Sequence, residues 1–215
     1  MKIGLLLGSF DPIHIGHVNI AACVLNSGLC DKVLFVVAKH NPWKNNEPAP
    51  MELRCAMIKA SVSGFNGRCE VCDLEKDIEP PTYSYKVIEK LREVYPSDEL
   101  YLIGGTDTIE RIPQWKNFDS HIRNKLSYIE VKRNDGTEMD SDKIPFKRHL
   151  ISRDSHTNKE FWSIKTQRMD ASSTMVRNMI SNDMNPIPYV NEKVFKIIIN
   201  NNLYKDGRKK EIREG

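Results

Sequence analysis

The chain has 215 residues, 40% of them hydrophobic and 28% charged, with a formal net charge of +3. That is the balance of a soluble globular protein with room for one domain, and it gives no argument for a nucleic-acid or membrane partner. The start carries no signal-peptide pattern, and no apolar run approaches the ~20 residues needed to span a bilayer. The cytoplasm is the expected location.

The first apolar run, residues 3–7, reads as a buried strand. It enters Gly8-Ser9-Phe10-Asp11-Pro12-Ile13-His14-Ile15-Gly16-His17. An apolar stretch over 18–25 then reads as a helix. A glycine turn between strand and helix lets a phosphate approach the backbone and sit at the helix N-terminus. His14 and His17, three residues apart on the first turn, share a face and can donate to one phosphate. The plainer reading is a capped first turn with two solvated histidines.

Residues 32–38 read as a second buried strand, ending in a polar loop that contains Lys44. A helix follows over 51–62, with Arg54 expected on its exposed side. A third strand is expected over 70–74, and Pro80-Pro81 then punctuates the chain. Ser84 opens an amphipathic helix through residue 94. A fourth strand, 100–103, runs into Gly104-Gly105-Thr106-Asp107, and a fifth covers 126–131. Residues 132–159 turn polar without a clear period and read as a loop or insertion, in which His149 and His156 receive no role. A short strand at 161–164 precedes Ser172-Ser173-Thr174, which opens a helix to residue 180. A last helix covers 190–200. Residues 205–215 form a charged tail.

The five cysteines include one C-x-x-C, Cys69 to Cys72. It enters a strand and lacks a second pair, so core packing is expected rather than zinc or redox chemistry. Strands alternating with helices imply a doubly wound α/β fold. Ligands bind such sheets at the carboxyl ends of the strands, near the switch in strand order. Four polar segments converge on that edge: those after strands one, two and four, and the one before the Ser172 helix.

The ordered set of motifs resembles the nicotinate/nicotinamide-nucleotide adenylyltransferases of the nucleotidylyltransferase superfamily. The segment Gly8 to His17 resembles its H-x-G-H signature. Pro81-Thr82-Tyr83-Ser84, Gly105-Thr106-Asp107 followed by Trp115, and Ser172-Ser173-Thr174-Met175-Val176-Arg177 resemble its later segments. The resemblance implies a Rossmann-like parallel sheet with C-terminal helices, over residues 1–204. It implies transfer of AMP from ATP to nicotinate or nicotinamide mononucleotide, with release of pyrophosphate.

By the same resemblance, His14, His17, Lys44 and Arg177 are the catalytic set. Gly8, Ser9, Phe10, Gly105, Asp107, Ser172, Ser173 and Thr174 hold the nucleotide, and Tyr83, Ser84 and Trp115 hold the pyridine ring. Mg²⁺ is expected, bridging ATP oxygens and mostly hydrated, with no protein side chain assigned as its ligand. Each residue has a plainer reading. Trp115 could plug the core, Asp107 could cap its helix, Lys44 could be solvated, and Ser172 would cap a helix under any function. The alternative function is adenylyl or cytidylyl transfer to another phosphorylated acceptor such as phosphopantetheine. A tRNA synthetase fragment lacks its lysine-rich loop here, and a sensor without turnover would not need the intact set. Oligomeric state is left open, a homo-oligomer included.

Overall fold

A computed structural model describes residues 1–39, 47–134, 148–167 and 169–205. Seven strands form one sheet: β1 Lys2–Gly8, β2 Lys32–Val37, β3 Cys69–Cys72, β4 Glu99–Gly105, β5 Ser127–Asn134, β6 Arg148–Arg153 and β7 Glu160–Gln167. Their order is β3-β2-β1-β4-β5-β7-β6, parallel throughout except for β6, which runs antiparallel to β7. The chain winds outward from β1 to β3 and then returns to place β4 on the other side of β1. The switch point therefore lies between the carboxyl ends of β1 and β4, at Gly8 and Gly105.

Helices α1 Ile15–Asn26, α2 Met51–Val62, α5 Ser173–Ser181 and α6 Glu192–Asn200 cover one face. The other is covered by α3 Ser84–Val94, α4 Thr106–Arg111 and the turns that follow α4. Alternate residues of one strand feed the two cores. In β2, Val33, Phe35 and Val37 face the first core, whereas Leu34 and Val36 face the second. A strand buried on both faces needs apolar residues at every position, and this is why β2 reads as a continuous run.

The elements expected from the sequence lie near those observed, but the sequence assigns no range to helix α4 Thr106–Arg111, and there are two further differences. Helix α1 begins at Ile15 inside the glycine-histidine motif, so His14 is its N-cap and His17 its third residue. Residues 132–159 are not a continuous polar loop: β5 extends to Asn134 and β6 occupies Arg148–Arg153, while β7 runs Glu160–Gln167, longer than the strand expected over 161–164. Every residue of β6 is exposed. An edge strand with water on both faces has no apolar alternation to reveal it. Residues 135–147 lie outside the described residues, as do 206–215 of the charged tail.

Cys69 joins the first core and Cys72 packs against the second, so the C-x-x-C thiols point to opposite faces of β3. Burial pushes the Cys69 thiol up to about 12. All five cysteines are free. No described helix is long and apolar enough to cross a membrane.

Position in the sheet sets the cost of a truncation. Leu34 in β2 is 1% exposed and Leu150 in β6 is 44% exposed. Leu34→Ala is expected to cost about 2–5 kcal/mol, and Leu150→Ala to stay within about 0.5 kcal/mol. Urea denaturation of both variants checks this, with unchanged slopes.

Candidate active site

The residues after β1 form a turn that is held from several directions. Gly8 permits a close approach: a Cβ there would lie 3.0 Å from the Phe10 ring. Phe10 adopts a left-handed φ of 47° and is buried, its ring edge-on to His17 at 5.1 Å and tilted on Phe35 at 5.4 Å. Arg54 is the main clamp. It is 1% exposed, so the expectation of an outward-facing residue on α2 is corrected. Its guanidinium donates to the carbonyls of Ser9, Ala38 and Ala49, each at 2.7 Å, and to that of Lys39 at 3.4 Å. Periodicity missed this because an arginine can be buried when several carbonyls receive its donors. Burial, partly opposed by the charge of Asp11, lowers the Arg54 pKa from its ordinary value.

Asp11 is a second hub, and the sequence did not single it out. Its carboxylate accepts from the Ala49 N–H at 3.1 Å and from the Tyr204 hydroxyl at 2.7 Å. Its carbonyl accepts from Arg177 at 2.6 Å. Burial, then the Asp11 charge, push the Tyr204 phenol up. The turn, the approach to α2, helix α5 and the end of the described chain thus meet at one residue.

The two histidines cap α1. The backbone N–H of Gly16 donates to His14 Nδ1 at 3.2 Å, and that of His14 donates to His17 Nδ1 at 3.3 Å. This is a capping box in which imidazoles replace the usual Ser and Glu. An Nδ1 that accepts is unprotonated, so the neutral ring carries its proton on Nε2. The rings lie 3.8 Å apart. Gly16 is required by this contact, since a Cβ there would sit 3.0 Å from the His14 ring.

Helix α5 brings a second N-terminus to the same place. Ser172 caps it by accepting from the Met175 N–H at 3.1 Å. Ser173 donates to the Pro12 carbonyl at 2.8 Å, tying α5 to the turn. Thr174 is exposed and accepts from Arg177 at 3.2 Å. Arg177 therefore spends part of its donor fork on Asp11 and Thr174. Between the two N-termini lies a cleft of about 180 Å³ lined by His14, Gly16, His17, Asn19, Ala171 and Ser172, among others. Two helix N-termini and two imidazoles face this cleft, a combination whose chemistry suits an anion. A larger hollow of about 440 Å³, lined by Ile109, Phe118 and Tyr128 among others, contains none of the residues singled out from the sequence.

The remaining residues gather on the opposite face of the sheet edge. Gly105 ends β4 and caps α4 without a side-chain bond, so Asp107 is an exposed acid in the first turn rather than a cap. Tyr83 is the N-cap of α3 and Ser84 its first residue. Trp115 ends the turn after α4, half-buried against the second core. It is joined to α3 by its neighbour Lys116, whose ammonium lies 4.3 Å from the Tyr83 ring centroid. Glu75, which the sequence also did not flag, is 5% exposed and accepts from the Lys39 N–H at 2.9 Å and from Thr82. It braces the segment leading to Tyr83. Lys44 lies outside the described residues.

Two groups of candidate site residues thus flank the carboxyl ends of β1 and β4. The cytidylyltransferase-like family model matches residues 5–179. A probable nicotinate-nucleotide adenylyltransferase of Flavobacterium psychrophilum is 30% identical over 95% of this chain and 100% of its own. One from Clostridium tetani is 31% identical over 92% of this chain and 96% of its own. The structure of Plasmodium falciparum nicotinic acid mononucleotide adenylyltransferase complexed with NaAD has the same fold. Its TM-score is 0.69 at 20% identity, covering 94% of this chain and 97% of that one.

Arg54→Met is expected to destabilise the fold by on the order of 3 kcal/mol, because buried carbonyls lose a charged donor. Thermal denaturation measures it. Glu75 gives a pH signature. Burial raises its pKa above 4.5, against the lowering effect of the Lys39 N–H. Its contribution to stability is therefore full below pH 4.5 and is lost as pH rises through the raised folded value. Glu75→Gln keeps an acceptor for Lys39 and removes the titration. The variant should gain on the wild type in melting temperature from pH 4 to pH 8.

The family match and the near-full-length relatives agree with this geometry: the chain belongs to the cytidylyltransferase-like family and, within it, to the nicotinate-nucleotide adenylyltransferases.

Proposed function

We propose that the two half-sites hold the two substrates of the family's reaction, the transfer of AMP from ATP to nicotinate mononucleotide in pyridine nucleotide biosynthesis. A 5′-phosphate oxygen of the mononucleotide forms a bond to the α-phosphorus of ATP. The bond from that phosphorus to the bridging oxygen breaks, and pyrophosphate leaves with the electron pair. The substrate phosphate is already an anionic nucleophile, so the protein supplies position and charge stabilisation.

In this reading the Nε2–H groups of His14 and His17 donate to the ATP phosphates as charge shifts toward the leaving group. Their Nδ1 atoms stay occupied by the backbone, which holds the donors in place. The turn at Gly8, Ser9 and Phe10 brings backbone to the α-phosphate. Ser172, Ser173 and Thr174, at the α5 N-terminus, take the β and γ phosphates, with the remaining donors of Arg177 on the departing pyrophosphate. Gly105 lets the ribose approach, and Asp107 accepts from its hydroxyls. Tyr83, Ser84 and Trp115 take the pyridine ring, and Lys44 takes the mononucleotide phosphate.

No group of three or more His, Cys, Asp or Glu among the described residues could hold a metal ion. The donors here complement phosphate oxygens instead. We take Mg²⁺ to come with the ATP, where it would neutralise phosphate charge, with no protein side chain assigned to hold it.

The observation that carries the reading is the pairing of a two-helix anion cleft with an aromatic wall across one switch point, the layout a dinucleotide product needs. The Plasmodium falciparum relative is complexed with NaAD, and we place the same kind of product across the half-sites here. Nicotinate mononucleotide is taken as the preferred acceptor over nicotinamide mononucleotide, as in the relatives' names. Phosphopantetheine would have no use for the Tyr83 and Trp115 wall.

Pyrophosphate release from ATP and Mg²⁺ with each mononucleotide tests the reading. His17→Ala is expected to lose on the order of 10²-fold or more in rate, the scale for removing one oriented donor. Trp115→Ala should raise the mononucleotide KM and keep the ATP KM. Full turnover in His17→Ala would sink the catalytic assignment.

A further inference from the structure

The aromatic wall is braced from behind and carries a cation in front. Tyr83 lies nearly parallel to Tyr85, at 6.2 Å and 14°. Tyr85 rests on His121 at 5.2 Å, and His121 Nδ1 is 2.5 Å from Glu89. Helix α3 and the turn Phe118–Ile122 are thereby locked together. The nearby cations have anionic partners: Arg123 pairs with Asp119 at 2.6 Å, and Lys125 approaches Glu89 at 3.5 Å. Lys116 is different. Among the described residues its partner is the face of Tyr83, and its side chain is exposed. An ammonium on an exposed ring face is held weakly, and a carboxylate is a better partner.

We propose that Lys116 is a specificity-determining residue, whose ammonium pairs with the ring carboxylate of nicotinate mononucleotide and so favours it over the carboxamide. The inference rests on assigning Tyr83, Ser84 and Trp115 to the pyridine half-site. Lys116 follows Trp115 directly, and its long stem reaches from the tryptophan turn to the head of α3. A ring stacked on Trp115 would present its substituent to this gap. The acid offers a charge and only acceptors. The amide is neutral and offers N–H donors that an ammonium cannot receive. The pair would be partly exposed, so the discrimination is modest and screened by salt.

The test compares kcat/KM for nicotinate and nicotinamide mononucleotide in the full chain with ATP and Mg²⁺. Lys116→Met should lower the acid-to-amide ratio about three- to fivefold, chiefly through the KM of the acid, as expected for a solvent-exposed charge pair. Lys116→Arg should keep the ratio within about twofold, since it retains the charge. The wild-type ratio should also fall with added salt, and that of Lys116→Met should not. An unchanged ratio in Lys116→Met, or Lys116→Arg behaving like Lys116→Met, overturns the proposal. Trp115→Ala separates the two possible failures. If it weakens both mononucleotides while Lys116→Met leaves the ratio intact, the pocket stands and the role of Lys116 falls. If neither variant alters mononucleotide kinetics, the pocket assignment falls with it.

Discussion

The buried guanidinium of Arg54 is the constraint on which the site depends. It lies on α2, yet it binds the carbonyls of Ser9 and Ala38, just past β1 and β2, and that of Ala49, just before α2. Loops at a sheet edge are ordinarily the mobile part of a fold. Here the turn after β1 and both ends of the β2–α2 connection share one rigid donor fork, and desolvating the cation is offset by the carbonyls it satisfies. Asp11 extends the same clamp to Tyr204 and Arg177. The turn proposed to bind phosphate is thus fixed by contacts 38 to 193 residues away in the chain.

A fixed turn makes the histidine capping box possible. Helix α1 needs acceptors for its first N–H groups. The Tyr189 carbonyl takes that of Ile15 at 2.8 Å, and the His14 ring takes that of Gly16. Satisfying the helix through Nδ1 leaves Nε2 as the protonated nitrogen of each neutral ring. One set of bonds therefore stabilises the start of α1 and orients the two imidazoles that we assign to the phosphates. Stability and chemistry are coupled at this point, and a substitution that removes an imidazole loses both a cap and a donor.

Much of this was legible in the residue order. The alternation of buried strands and amphipathic helices gives the doubly wound fold, because β2 and β4 must be apolar on both faces and α3 and α6 on one. The glycine-histidine turn and the Ser172 cap are local motifs, and their chemistry is contained within a few residues. What escaped was non-local. Arg54 and Glu75 look like surface charges in any periodic reading, since their partners are backbone groups brought near only by folding. Asp11 looks like a turn former, yet it ties together four segments. Strand β6 has no apolar face, so only its pairing with β7 reveals it. Lys116 carries no motif, and its meaning comes from the ring it lies on.

The most direct test of the account is a crystal structure of this chain with its dinucleotide product. The product should lie across the carboxyl ends of β1 and β4. Its adenylyl phosphate would lie within hydrogen-bond reach of His14 and His17 Nε2, and its pyridine ring against Trp115 and the head of α3. A product whose phosphates avoid both histidines, or whose ring occupies the hollow at Phe118 and Tyr128, would contradict it.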